Sequence, residues 1–141
     1  MIDKWDDRFL GLAQHVAGWS KDPSTKVGAV IAGDDHIVRG LGYNGFPRGV
    51  PDTPANYENR EIKYDRIIHA EMNAVLNASG PVAGCTLYGW PLPPCIRCAA
   101  FIIQAGIKRV VAPEYTDGRW KDSCSKAFYL CRDAGVEWKL K

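Results

Sequence analysis

The sequence predicts an α/β protein: a three-layer α-β-α sandwich built on a mixed five-stranded sheet, with residues 1–141 forming one domain. Three observations carry this prediction. An apolar stripe of helical period opens the chain. Two apolar strand-like runs joined by a tight turn follow it. Helical and strand-like segments then alternate to the C-terminus. Such alternation implies parallel neighbours joined by right-handed crossovers, with helices on both faces of the sheet.

Each element has its own local signal. Trp5, Phe9, Leu12, Val16 and Trp19 recur at steps of three and four, which predicts a helix over residues 4–20, ended by Asp22-Pro23-Ser24. Val27, Ala29, Val30 and Ile31 mark a buried strand from Lys26 to Ala32. Gly33-Asp34-Asp35 is a turn, and Ile37 to Tyr43 is the return strand of an antiparallel hairpin. Residues 44–64 carry Gly, Pro, Asn and charge without a period and read as a long loop, functional or mobile. A helix is expected from Ile67 to Ala78, ended by Gly80-Pro81, and a strand from Cys85 to Gly89. A second crossover helix from Cys95 to Ala105 stops at Gly106 and leads to a strand over Arg109–Ala112. The last helix, Lys121–Ala134, stops at Gly135 before a strand over Val136–Leu140. The predicted order is α-β-β-α-β-α-β-α-β.

Composition narrows the function. Apolar residues make up 46% and charged residues 24%, the balance of an ordinary globular domain. Eighteen basic against 16 acidic residues leave a net charge of +2, too weak for a surface built to grip long nucleic acid. A small anionic substrate needs only one local cationic pocket. The first residues, Ile2-Asp3-Lys4-Trp5-Asp6-Asp7, contain no apolar run, so no signal peptide is expected, and nowhere is there a stretch suited to a membrane span. There are five cysteines, two of them in one C-x-x-C. With no signal peptide, that count favours a reducing, cytoplasmic setting without a disulfide framework.

The chemistry lies in His69-Ala70-Glu71 and, downstream, Pro94-Cys95-Ile96-Arg97-Cys98. His69, Cys95 and Cys98 are expected to ligate one Zn²⁺. Three ligands on a four-coordinate ion leave one position open, which marks a catalytic rather than a structural zinc. Both motifs open predicted helices, where free N–H groups and a partial positive charge favour thiolate ligands. One imidazole and two thiolates give a neutral centre that brings a bound water to a pKa of about 7. Glu71 is left as the proton shuttle, taking the proton of the attacking water and delivering it to the substrate. The other histidines read as structural or solvated: His15 lies within the first helix and His36 near a turn. Cys124 and Cys131 share a helix face and read as core thiols, and Cys85 begins a buried strand.

The H-x-E…P-C-x-x-C pattern resembles that of the zinc-dependent nucleobase deaminases. Trp19-Ser20-Lys21-Asp22-Pro23-Ser24-Thr25-Lys26-Val27-Gly28-Ala29, Gly42-Tyr43-Asn44-Gly45-Phe46-Pro47-Arg48-Gly49 and Ile102-Ile103-Gln104-Ala105-Gly106-Ile107 narrow the resemblance to the deoxycytidylate (dCMP) deaminases of the cytidine deaminase superfamily. That resemblance implies the cytidine deaminase-like fold and hydrolysis of dCMP to dUMP and ammonia, with hydroxide attacking C4 of the ring. It implies a homo-oligomer, often a hexamer, and regulation by dCTP, accompanied by Mg²⁺, and by dTTP. It implies neither nucleic-acid nor membrane partners. Asn44 is then expected to contact the sugar, Ala70 to line the substrate site, and Lys26, Arg48, Arg119 and Lys121 to be candidate phosphate contacts. Tyr88, Trp90, Tyr115 and Trp120 are candidates to stack on the base, and Gly42, Tyr43, Gly45 and Arg48 to form the effector site. A bifunctional dCMP/dCTP deaminase is the first alternative; a tRNA deaminase, a free nucleoside deaminase and a nucleotide- or DNA-binding protein on the same scaffold are the further rival readings, and an intact Glu71 argues against the last.

Overall fold

The computed structural model describes residues 2–116 and 118–141. Its elements in chain order are α1 (Lys4–Ala17), β1 (Gly28–Ala32), β2 (Val38–Tyr43), α2 (Pro54–Glu58), α3 (Arg60–Arg66), α4 (Ala70–Leu76), β3 (Thr86–Trp90), α5 (Ile96–Gln104), β4 (Arg109–Ala112), α6 (Lys121–Ala134) and β5 (Glu137–Leu140). The strands lie in the order β2-β1-β3-β4-β5. β1 runs antiparallel to both β2 and β3, while β3, β4 and β5 are mutually parallel. This is the mixed five-stranded sheet that the alternation of elements predicted.

Strand alternation divides the core in two. Val30 and Ala32 of β1, Tyr88 of β3 and Val111 of β4 face α1, where they meet Phe9, Leu10 and Ala13. Ala29, Ile31, Leu87 and Val110 point the other way, into the layer that holds Ala70, Ala74, Cys98, Ala99, Ile102, Ala127 and Cys131. Successive side chains of a strand take opposite faces, so one sheet serves both layers. Ala70, Cys95 and Cys98 of the two motifs belong to the second layer.

Three expectations are corrected. First, the helix expected over residues 4–20 ends at Ala17. Tight-turn bonds from Trp19 N to Val16 O and Ser20 N to Ala17 O follow, and Ser20 Oγ donates to Asn44 O instead of capping the helix. Second, residues 44–64 are not one irregular loop, since α2 and α3 lie within them. Thr53 accepts from Asn56 N ahead of Pro54, and Asn59 accepts from Ile62 N, so each short helix has a side-chain N-cap. Helices this short complete no apolar face and leave no period to read. Third, the helix expected from Ile67 begins at Ala70. Ile68 instead pairs with Gly45 in an isolated antiparallel bridge, its N–H donating to Gly45 O at 2.8 Å and its carbonyl accepting from Gly45 N at 3.1 Å.

No helix among the described residues is long and apolar enough to cross a membrane. All five cysteines are buried as free thiols.

Candidate active site

The bridge between Ile68 and Gly45 fixes the backbone just before His69. His69 is extended (φ −70°, ψ 154°) and caps α4, so its ring is thrown clear of the helix axis. Cys95 caps α5 in the same extended state (φ −75°, ψ 169°), and Cys98 lies in that helix's first turn. α6 secures this end of α5: Ile96 N donates to Ser123 Oγ at 3.0 Å, and the Cys124 thiol donates to Pro93 O at 3.4 Å.

Two helix starts thereby bring three metal-ligand side chains together. His69 Nδ1 lies 3.2 Å from Cys98 Sγ and 3.4 Å from Cys95 Sγ. All three donor atoms lie within 4.8 Å of one another, the only such group of three or more His, Cys, Asp or Glu among the described residues. A tetrahedral zinc with its usual bonds to nitrogen and sulfur separates those donors by about 3.5 Å, so the set fits that ion. The Cys95 thiol is held down at about 4, chiefly by the hydrogen bond from Cys98, with burial opposing and His69 assisting. The bond it makes to Cys95, together with burial, pushes the Cys98 thiol up. A divalent cation reverses that penalty, because a coordinating thiol is deprotonated outright.

Glu71 follows in the first turn of α4. Its carboxyl is buried, and burial pushes its pKa up, while the nearby His69 pulls it down. It stands outside the three-donor set yet lines the same cleft as His69, Ala70 and Cys95. The cleft encloses about 620 Å³ including its open mouth.

Of the residues expected to bind substrate, Asn44, Ala70 and Arg119 line this cleft. Asn44 is buried, and internal partners occupy its amide: Oδ1 accepts from Val27 N at 2.9 Å, and Nδ2 donates to Thr25 O at 2.9 Å and to Asp22 Oδ2 at 3.2 Å. Lys26 and Lys121 lie outside the lining; Lys26 Nζ donates to the Ser20 carbonyl, and Lys121 is the exposed first residue of α6. Among the aromatic candidates, Trp120 lines the cleft with its ring 6.2 Å from the His69 ring, edge-on at 81°. Tyr115 accepts from Trp120 N at 3.4 Å and so stands behind it. Tyr88 does not reach the site: it faces α1 on the opposite side of the sheet, where its hydroxyl donates to Asp6. Trp90 packs on that same face.

Tyr43, Gly45 and Arg48 gather in a second hollow beside α4, with Asn73 and Asn77. Gly42 lies outside it, wedged against the α4 backbone.

Two wall residues escaped sequence reasoning. Lys63, on α3, is buried and pairs with buried Asp22 at 3.0 Å. Tyr64 beside it lines the cleft mouth. Their signal was the Asn59 cap, which would have placed both on a helix.

A family model describing the cytidine and deoxycytidylate deaminase zinc-binding region matches residues 3–114. The chain belongs to this deaminase family. It is 46% identical over 140 residues to an uncharacterized deaminase from the luxG 3' region of Aliivibrio fischeri, covering 97% of this chain and 93% of that one. It is 39% identical over 144 residues to the deoxycytidylate deaminase of Homo sapiens, covering 96% and 79%. The crystal structure of the dCMP deaminase from cyanophage S-TIM5 in complex with dCMP and dUMP superimposes with a TM-score of 0.79 at 26% identity over 99% of both chains. The chain is thus a deaminase, a hydrolase with the cytidine deaminase-like fold that its motifs predicted.

Proposed function

We propose that this deaminase hydrolyses dCMP to dUMP and ammonia. The observation that carries the reading is a buried carboxyl, Glu71, set beside a His-Cys-Cys cluster without belonging to it, in one cleft with it. The names of its relatives, deoxycytidylate deaminases acting on the same fold, support the choice of substrate.

His69, Cys95 and Cys98 would hold the zinc. When bound there, zinc would lower the pKa of the water at its open position. Glu71 does the rest of the proton work. It accepts the proton of the water that adds to C4 and passes it to ring N3. It then carries the second water proton to the exocyclic amine, the C4–N bond breaks, and ammonia leaves as C4 becomes a carbonyl. A ligated carboxylate could not exchange protons in this way, so the separation of Glu71 from the donor set matters. Asn44, locked to Val27, Thr25 and Asp22, holds the wall against which the sugar lies. Arg119 is the cation among the sequence candidates that lines the cleft and suits the phosphate. The second hollow at Tyr43, Gly45 and Arg48 is the place for a dCTP or dTTP effector, dCTP with Mg²⁺, in a homo-oligomeric enzyme.

The test is a deamination panel on zinc-loaded protein: dCMP, dCTP, CMP, deoxycytidine and tRNA, with and without a chelator, and with dCTP or dTTP as effectors. Turnover of dCMP well above the others, abolished by the chelator, is the expected result. Turnover of tRNA alone, or of no substrate despite full zinc loading, would overturn the reading.

A further inference from the structure

The two helices that carry the His-Cys-Cys group do not cap themselves as α1, α2 and α3 do. Those three open on Asp3, Thr53 and Asn59, whose side-chain oxygens accept from the first amides of each helix. α4 and α5 open on His69 and Cys95, and neither side chain makes a cap hydrogen bond. Both side chains are turned into the three-donor set instead.

On α5 the missing oxygen comes from another helix. Ile96 is the first residue of α5, and the helix's own first bond runs from Ala99 N to Cys95 O at 2.9 Å. The Ile96 amide lies ahead of that bond and has no acceptor within its own helix. Ser123 Oγ, half-buried on α6 and 27 residues further along the chain, accepts from it at 3.0 Å. The next residue of α6 acts on the other side of Cys95: the Cys124 thiol donates to Pro93 O at 3.4 Å. Two consecutive residues of α6 therefore hold the backbone on both sides of Pro94-Cys95. Between those bonds Cys95 is extended (φ −75°, ψ 169°), the conformation in which its sulfur stands 3.4 Å from His69 Nδ1.

We propose that Ser123 is a positioning residue for the metal centre: it caps α5 from α6 and fixes the direction of Cys95, leaving the cap position free to carry a sulfur ligand. This rests on the reading of His69, Cys95 and Cys98 as zinc ligands. Ser123 touches the centre through one backbone amide and not through a donor atom. Loss of an outer partner of a metal site costs about 10–100-fold in metal affinity, and so indirect a contact belongs at the lower figure.

The experiment compares wild type with Ser123→Ala, Ser123→Thr and Ser125→Ala. Ser125 is exposed on the same helix, so its replacement reproduces the gain in helix propensity without removing the bond to Ile96. Three quantities are read: zinc affinity in competition with a chromophoric chelator, the absorption bands of the cobalt-substituted protein, and urea unfolding of the metal-free protein. Ser123→Ala is expected to bind zinc about tenfold more weakly and to shift the cobalt bands, which report ligand geometry. Ser123→Thr keeps the oxygen and should restore both, and Ser125→Ala should match wild type. A bond that merely stabilises the fold would lower the unfolding midpoint and leave zinc affinity and cobalt bands as in wild type; that result would overturn the inference. So would an equal loss of affinity in Ser125→Ala. If wild type itself held no zinc, the metal reading would fall and the inference with it. If wild type held zinc and Ser123→Ala held it as firmly, the inference alone would fall.

Discussion

Substitution of Gly42 by alanine should damage stability and catalysis together. Gly42 lies on β2 opposite Ala29 of β1, directly beneath α4. An added methyl carbon would sit 2.4 Å from Ala74 N, 2.6 Å from Ala70 O and 2.7 Å from the Asn73 carbonyl carbon. Heavy atoms settle at about 3.5–4.0 Å, so α4 has to lift by roughly 1 Å. All three atoms are backbone, so no side chain can swing aside. Overpacking of this kind costs about 1–3 kcal/mol, and backbone on both sides puts Gly42→Ala near the upper figure. In a domain of this size about 1 kcal/mol moves Tm by roughly 3 °C, so the melting point should fall by about 9 °C. The helix that lifts is the one His69 caps and Glu71 sits on, and a misplacement of about 1 Å costs on the order of a hundredfold in rate. Thermal unfolding followed by circular dichroism, metal content and initial rates on dCMP read the two effects. Gly45→Ala is the control, because nothing lies within 4 Å of its added methyl, and its Tm should stay within about 2 °C of wild type. If Gly42→Ala melted with Gly45→Ala, or lost stability while keeping full turnover, the close approach of β2 to α4 would not be what holds the site.

Two further outcomes follow from the same geometry. Glu71→Gln should retain its zinc and fold while losing about 10²–10⁴-fold in kcat, measured by metal analysis beside steady-state rates; zinc loss or near-normal turnover would remove Glu71 from the proton path. On the far face, Arg109 grips buried Asp6 through two hydrogen bonds of 2.7 Å. Arg109→Met should cost about 3 kcal/mol in urea unfolding at pH 7, because a buried carboxylate loses its partner. Burial raises the pKa of Asp6, but the bonds from Arg109, the Asp3 N–H and Tyr88 outweigh it and hold the carboxyl at about 2 against its usual 3.8. Its contribution is therefore complete above about 3.8 and fades as pH falls through about 2, so the gap between wild type and variant should narrow toward pH 2. A gap of constant size would show that the pair is not coupled to protonation.

Where the local start and stop signals are strong, pattern was enough. β4 and α6 begin and end where their local signals place them, because Val110–Ala112 is a buried strand run and Gly135, at φ 79°, supplies a left-handed stop after α6. The His-Cys-Cys group was equally legible, since His69, Cys95 and Cys98 announce themselves by type and spacing. The segment holding α2 and α3 was not. Its five- and seven-residue helices are fixed by Thr53 and Asn59 caps and by contacts made after folding, such as Lys63 with Asp22. Tyr88 misled for another reason: as an aromatic near the motifs it suggested stacking on a base, yet strand alternation sends it to the α1 face.

The sequence by itself determined the class of fold, the donor set and the presence of a carboxylate beside it, because these depend on residue types at short spacing and on periods that local chain geometry imposes. Only the tertiary structure decided which side chains share the cleft. Lys63 reaches Asp22 across 41 residues, Arg119 reaches Tyr64 across 55, and the Asn44 amide is spent on three loop partners. Those meetings depend on how α3 and the segment before α6 dock around α4, where burial and charge compete over distances that no local pattern records.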